Sequence, residues 1–107
     1  MNRGERLALR HYRRRGYRLL ASNVRAGRYE LDLVLRRGRR ILVVEVKEKA
    51  GDAFGHPLEM VDDEKQRRLR LAAQAWLARR PETAGLRVSF DVIAVRGSRL
   101  ERVAEAF

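Results

Sequence analysis

Between residues 4 and 15 the side chains repeat with the period of a helix. Glu5, Ala8, Leu9 and Tyr12 fall at i, i+3, i+4 and i+7, and Gly16 is a natural stop. The first member of that stripe is a carboxylate. Tyr17–Val24 reads as a strand, with Ala26-Gly27 in the turn that follows. The period of two then dominates. Leu31, Leu33 and Leu35 alternate with Glu30, Asp32 and Val34, and a further strand runs over Arg40–Lys49. In that strand Ile41, Val43, Glu45 and Lys47 share one face, and Leu42, Val44 and Val46 share the other.

Gly38-Arg39 fits a two-residue hairpin turn with glycine first. If Arg37 pairs with Arg40, paired positions sum to 77. That register sets Asp32 opposite Glu45, Glu30 opposite Lys47 and Val34 opposite Val43. Directly opposed Cβ atoms lie roughly 4.5–5.5 Å apart, so two carboxylates would face each other inside an apolar hairpin.

After a loop at Gly51–His56, Asp63–Arg79 reads as a long helix with Asp62 as its N-cap. Its stripe is Leu69, Ala72, Ala73, Trp76 and Leu77, and Lys65 sits four residues before Leu69 on the same side. Pro81 and Gly85 end it. Leu86–Val95 is a strand, Gly97 a turn, and Leu100–Val103 a last short strand. The order α-β-β-β-α-β-β describes one α/β domain over residues 1–107, with a mixed central β-sheet flanked by helices.

Composition narrows the function. The 107 residues carry 25 Lys+Arg against 14 Asp+Glu, a net charge of +11, and no cysteine. Thiolate metal sites, disulfides and thiol nucleophiles are excluded, and the expected compartment is the cytoplasm. No apolar run approaches the roughly 20 residues of a membrane span, and Met1–Glu5 lacks the apolar stretch of a signal peptide. Of the cations only Lys47, Lys49 and Lys65 are lysine. The arginines cluster at Arg13-Arg14-Arg15, Arg36-Arg37, Arg39-Arg40, Arg67-Arg68 and Arg79-Arg80. This excess suits a polyanion; the plainer reading is arginine-rich coding or a heat-adapted surface of ion pairs. Arg13, Arg14, Arg15, Arg67, Arg68 and Lys65 are the candidate nucleic-acid contacts.

Opposed carboxylates need a reason to be buried together. A divalent cation supplies one: Mg²⁺ takes hard oxygen ligands, commonly one or two carboxylates with water and substrate phosphate. Lys47 lies on the same face, where it can orient an attacking water or offset developing charge. A lysine there also stands out among so many arginines, because its amine is a compact charge with an adjustable pKa. The plainer readings are that Lys47 balances Glu30 across the strands and that Asp32 and Glu45 pair with arginines at the surface. Glu5 can reach the same place if its helix packs over the hairpin, or can simply face the helix dipole. Lys65 can carry a second cation to phosphate, or can snorkel from a helix end.

Several ordered segments carry a resemblance. They are Gly4-Glu5 with Ala8 and Tyr12, Gly16-Tyr17, Asn23, Glu30-Leu31-Asp32-Leu33, Val44-Glu45-Val46-Lys47, Phe54-Gly55, Lys65, Phe90-Asp91-Val92 and Ala106-Phe107. Together they resemble the YraN family of small bacterial proteins. That pattern is similar in turn to the restriction-endonuclease-like, or PD-(D/E)XK, nucleases and to archaeal Holliday junction resolvases. The resemblance implies a restriction-endonuclease-like fold in which Glu5, Asp32 and Glu45 bind Mg²⁺ or Mn²⁺, Lys47 is the catalytic lysine and the Val46 carbonyl is a further ligand. It also implies cleavage of branched or otherwise structured DNA, by analogy as a homodimer. The chain departs from the family pattern at Tyr29, where glycine is usual, and at Glu48, Lys49 and Ser89. The alternatives are a non-catalytic nucleic-acid-binding protein that keeps the nuclease fold, and a protein-interaction adaptor with a basic surface.

Overall fold

Helix α1 (Arg3–Arg13) starts with a reciprocal cap. The Asn2 side chain accepts the Glu5 amide at 2.8 Å, and the Glu5 carboxylate accepts the Asn2 amide at 2.9 Å. The expected stripe of Glu5, Ala8, Leu9 and Tyr12 is its buried face. The helix ends by a Schellman pattern: the Gly16 amide donates to Arg13 O and the Tyr17 amide to Tyr12 O, each at 3.1 Å, around a Gly16 φ of +88°. This computed structural model describes residues 1–49 and 55–107. Most of the expected Gly51–His56 loop, and Phe54 with it, lies outside the described residues.

Five strands form one mixed sheet in chain order: β1 (Arg18–Ala26), β2 (Tyr29–Arg37), β3 (Arg40–Glu48), β4 (Arg87–Arg96) and β5 (Arg99–Val103). Neighbours are antiparallel except β3 and β4, which run parallel, with α2 (Asp63–Ala78) between them in the chain. The fold is α/β in the expected order. Short 3₁₀ turns at Pro57–Met60 and Pro81–Thr83 are additions to it. Asp62 caps α2 as expected, accepting the Lys65 amide at 2.8 Å. Among the described residues, no helix is long and apolar enough to cross a membrane.

The sheet separates two cores. Leu42, Val44 and Val46 pack with Ala8, Leu9 and Tyr12 of α1. Ile41 and Val43 pack with Leu69, Ala72, Ala73 and Trp76 of α2. Truncating one fully buried leucine such as Leu33 costs about 2–5 kcal/mol. The strict alternation of β3 thus carries its next members, Glu45 and Lys47, toward the α2 side.

Two expectations about β2 need correcting. The register sum of 77 holds from Arg37↔Arg40 to Leu33↔Val44, but the ladder ends there. Asp32 and Glu45 therefore do not form a backbone pair, and neither do Glu30 and Lys47. The strands part beyond Leu33, and the Val46 amide donates to Asp32 Oδ2 at 2.9 Å. Leu31 also leaves the face of Leu33 and Leu35 and joins the α2-side core. The switch coincides with Asn23 in β1, which lies opposite Asp32 between the pairs Ser22↔Leu33 and Val24↔Leu31. Asn23 takes φ +47°, a left-handed conformation that interrupts the regular two-residue alternation.

Candidate functional site

The fork between β2 and β3 opens into a cleft of about 510 Å³ that also receives the N-terminal ends of both helices. Asp32, Glu45, Val46 and Lys47 come from the strands, Asn2 and Glu5 from α1, and Lys65 and Arg68 from α2. Arg25, Arg28, Tyr29 and Glu30 border it from the β1–β2 turn. Asp32, Glu45, Lys47, Glu5 and Lys65 are therefore brought together as the sequence predicts.

Glu45 is only 3% exposed. One oxygen, Oε1, lies 3.4 Å from Lys47 Nζ and 3.5 Å from Lys65 Nζ. The other, Oε2, is buried without a hydrogen-bond partner among the described residues. A buried carboxylate oxygen with no donor is costly and needs a compensating positive group. Lys47 thus pairs with Glu45 on its own strand, not with Glu30 across the hairpin.

Asp32 has its pKa pushed up from 3.8 to about 7. Burial is the main cause, followed by the negative charge of Glu45 and, more weakly, of Glu5. The Val46 amide and Lys47 act in the opposite direction. Glu5, 3% exposed, uses both carboxylate oxygens: Oε1 accepts the Asn2 amide and Oε2 accepts Asn23 Nδ2 at 3.0 Å. The helix-capping role and the place in the cleft are held by the same side chain.

The acids fit a hard divalent cation through two carboxylates. Glu45 Oε2 is an acceptor with no donor among the described residues, and Asp32 is a neighbouring acid whose ionisation Glu45 opposes. Magnesium commonly takes only one or two protein carboxylates, the remainder being water and phosphate. Among the described residues no three acidic or histidine side chains form a ready-made cage, and both oxygens of Glu5 are engaged by Asn2 and Asn23.

The predicted nucleic-acid contacts separate. Lys65 and Arg68 line the cleft, whereas Arg67 does not. Arg67 and Arg68 both bond Glu64, at 2.7–3.1 Å. Arg13, Arg14 and Arg15 lie at the other end of α1, lining separate clefts. Sequence reasoning missed the role of Asn23. Its signal was an asparagine within a strand, the residue type that best tolerates left-handed backbone after glycine. Asp91 stands apart as a structural acid, accepting Tyr12 Oη at 2.6 Å, Arg102 Nε at 2.7 Å and the Glu105 amide at 3.0 Å.

Residues 4–95, which hold Glu5, Asp32, Glu45, Lys47 and Lys65, match the model of an uncharacterised protein family, UPF0102. The chain belongs to UPF0102, the YraN family. A UPF0102 protein of Alkalilimnicola ehrlichii is 39% identical over 106 residues, covering 99% of this chain and 84% of the relative. A UPF0102 protein of Yersinia pseudotuberculosis is 40% identical over 104 residues, 96% of this chain and 89% of its own length. The UPF0102 match ends at Val95 in β4, so every cleft residue except Asn2 falls within it and β5 lies beyond it.

Proposed function

We propose that this UPF0102 chain is a metal-dependent endonuclease that hydrolyses DNA phosphodiester bonds, with branched or structured DNA as substrate. The observation that carries the proposal is Glu45, whose Oε2 is buried beside Asp32 with no hydrogen-bond partner among the described residues, while two lysines stand at its Oε1. This arrangement provides acceptors for a cation and donors for a phosphate within one cleft.

In this reading Asp32 and Glu45 hold Mg²⁺ or Mn²⁺, and the PD-(D/E)XK resemblance adds the Val46 carbonyl. When bound, the metal would supply Lewis acidity at the phosphate and lower the pKa of a water. Lys47 orients the attacking water and offsets charge developing on the phosphoryl group. Lys65, held 3.5 Å from Glu45 by the first turn of α2, brings a second positive charge to the substrate phosphate. Glu5 stays beside Asp32 as a third acid, oriented by Asn2 and Asn23. A cytoplasmic two-fold dimer, with one cleft for each of two paired strands, completes the reading.

Calorimetric titration of Mg²⁺ and Mn²⁺ into the wild type, Asp32→Asn and Glu45→Gln, alongside cleavage of a four-way DNA junction, tests it. Metal binding and cleavage both lost in folded variants is the expected result. The occupied oxygens of Glu5 favour a second reading, a non-catalytic nucleic-acid-binding protein. That reading prevails if the wild type binds junctions without binding metal or cutting.

A further inference from the structure

The outward side of α1 is set apart by its charge. Arg6, Arg10, Arg13 and Arg14 fall at i, i+4, i+7 and i+8, one helical face opposite the buried Ala8, Leu9 and Tyr12. A cleft of about 430 Å³ along this face is lined by Arg6, Leu9, Arg10, Arg13 and Arg14. A second, of about 360 Å³, lies against the β5 side of the helix and shares Arg10 and Arg14, with Arg15 and His11 among its lining. Among the described residues no carboxylate lines either one. Among the described residues the side chains of Arg10, Arg13 and Arg14 have no hydrogen-bond or ion-pair partner. The contrast is α2, where Arg67 and Arg68 both bond Glu64.

We propose that this arginine ridge is a track for the phosphate backbone of a duplex arm that extends from the acidic cleft. The inference rests on the nucleic-acid reading above and adds where the substrate runs. Glu5 in the first turn of α1 lines the cleft, and the ridge begins one residue later. From Arg6 to Arg14 the ridge extends roughly 12 Å along the axis at ~1.5 Å per residue. That length spans several phosphates, since each strand carries one charge per roughly 3.4 Å. A mononucleotide would leave most of the ridge unused. An anionic bilayer fits less well, because a membrane-surface helix needs an outward apolar face and the apolar side of α1 is in the core.

The experiment measures binding of the full chain to a short labelled DNA duplex across a salt series, in EDTA so that no cleavage intervenes. Arg10→Ala/Arg14→Ala should weaken binding about tenfold and flatten the salt dependence by roughly one to two in slope. Arg10→Lys/Arg14→Lys should keep the wild-type slope. Arg87→Ala, which removes a guanidinium paired to Glu105, should leave affinity unchanged. Wild-type affinity and slope in the double alanine variant would overturn the proposal. The nuclease reading fails separately: a chain that binds duplex through the ridge yet never cuts keeps the track and loses the enzyme.

Discussion

Asp32 Oδ2 accepts the Val46 amide at 2.9 Å, just past the last backbone pair of β2 and β3. A side chain thus satisfies a donor at the point where the ladder stops, and the strands can diverge without leaving that amide unpaired. The same carboxylate lies under the field of Glu45 and Glu5, so the group that keeps the fork open is also one that resists ionisation.

Stability should depend on pH through Asp32. Its folded pKa, about 7, lies above the ordinary 3.8, so the folded state holds a proton that the unfolded state has released between those values. This contribution is fully present below about pH 4, falls as pH rises toward 7, and is flat above. Asp32→Asn, whose carbonyl still accepts the Val46 amide, removes the loss. It should be more stable than wild type by about 2 kcal/mol at pH 8, with a smaller gap at pH 5, in urea titrations at the two pH values.

Removing the neighbour should relax the acid. Glu45→Gln takes away the largest nearby negative charge, so the Asp32 pKa should move down toward the ordinary carboxylate range. Carbon-detected NMR titration of the Asp32 carboxyl measures it directly. An unchanged Asp32 titration in a folded variant would show that burial alone sets the value.

Cation and proton should compete at the cleft. Mg²⁺ or Mn²⁺ binding should strengthen between pH 6 and pH 8 and release a proton on the lower side of that window. Calorimetry in two buffers of different ionisation enthalpy counts the protons. Equal affinity and no release at pH 6 would place the metal away from Asp32.

The left-handed residue in β1 should be sensitive to shape. Asn23→Gly accepts φ +47° and loses the bond to Glu5, for a cost near 1 kcal/mol. Asn23→Val loses the bond and also strains the backbone, so it should cost a further ~2 kcal/mol. Thermal melts of the pair separate the two effects.

Asp91 should matter for folding and not for the cleft. Asp91→Ala strips acceptors from Tyr12, Arg102 and the Glu105 amide at once, at about 3 kcal/mol or more. Tyr12→Phe removes one of the three bonds and should cost about 1 kcal/mol. Urea midpoints should rank wild type, Tyr12→Phe, then Asp91→Ala.

Much of this was legible because hydrophobic period encodes facing. The alternation of Ile41 to Lys47 located both cores and carried Glu45 and Lys47 to one side, while Gly38 set the hairpin register. The stripe from Glu5 to Tyr12 likewise put Glu5 on a buried face. What escaped depends on contacts no period reports. The end of the ladder at Leu33, the switch of Leu31 and the commitment of Glu5 to Asn23 all follow from one asparagine and one side-chain-to-amide bond. Lys47 was expected across from Glu30, but with the strands parted its nearest acid is Glu45 on its own strand. The arginine clusters were visible as runs, yet only the fold distinguishes Arg10 and Arg14, which have no side-chain partner among the described residues, from Arg67, which is held by Glu64.

The parallel pairing of β3 with β4 has a consequence for the order in which the cleft is assembled. Helix α1 and the β1–β2–β3 meander are close in sequence, so the carboxylates of Glu5, Asp32 and Glu45 are gathered by short loop closures. Lys65 arrives only with α2, inside the long crossover that must close before Arg87 can lie beside Arg40. A chain stalled before that closure would hold three neighbouring acids with Lys47 as the only cleft lysine beside them.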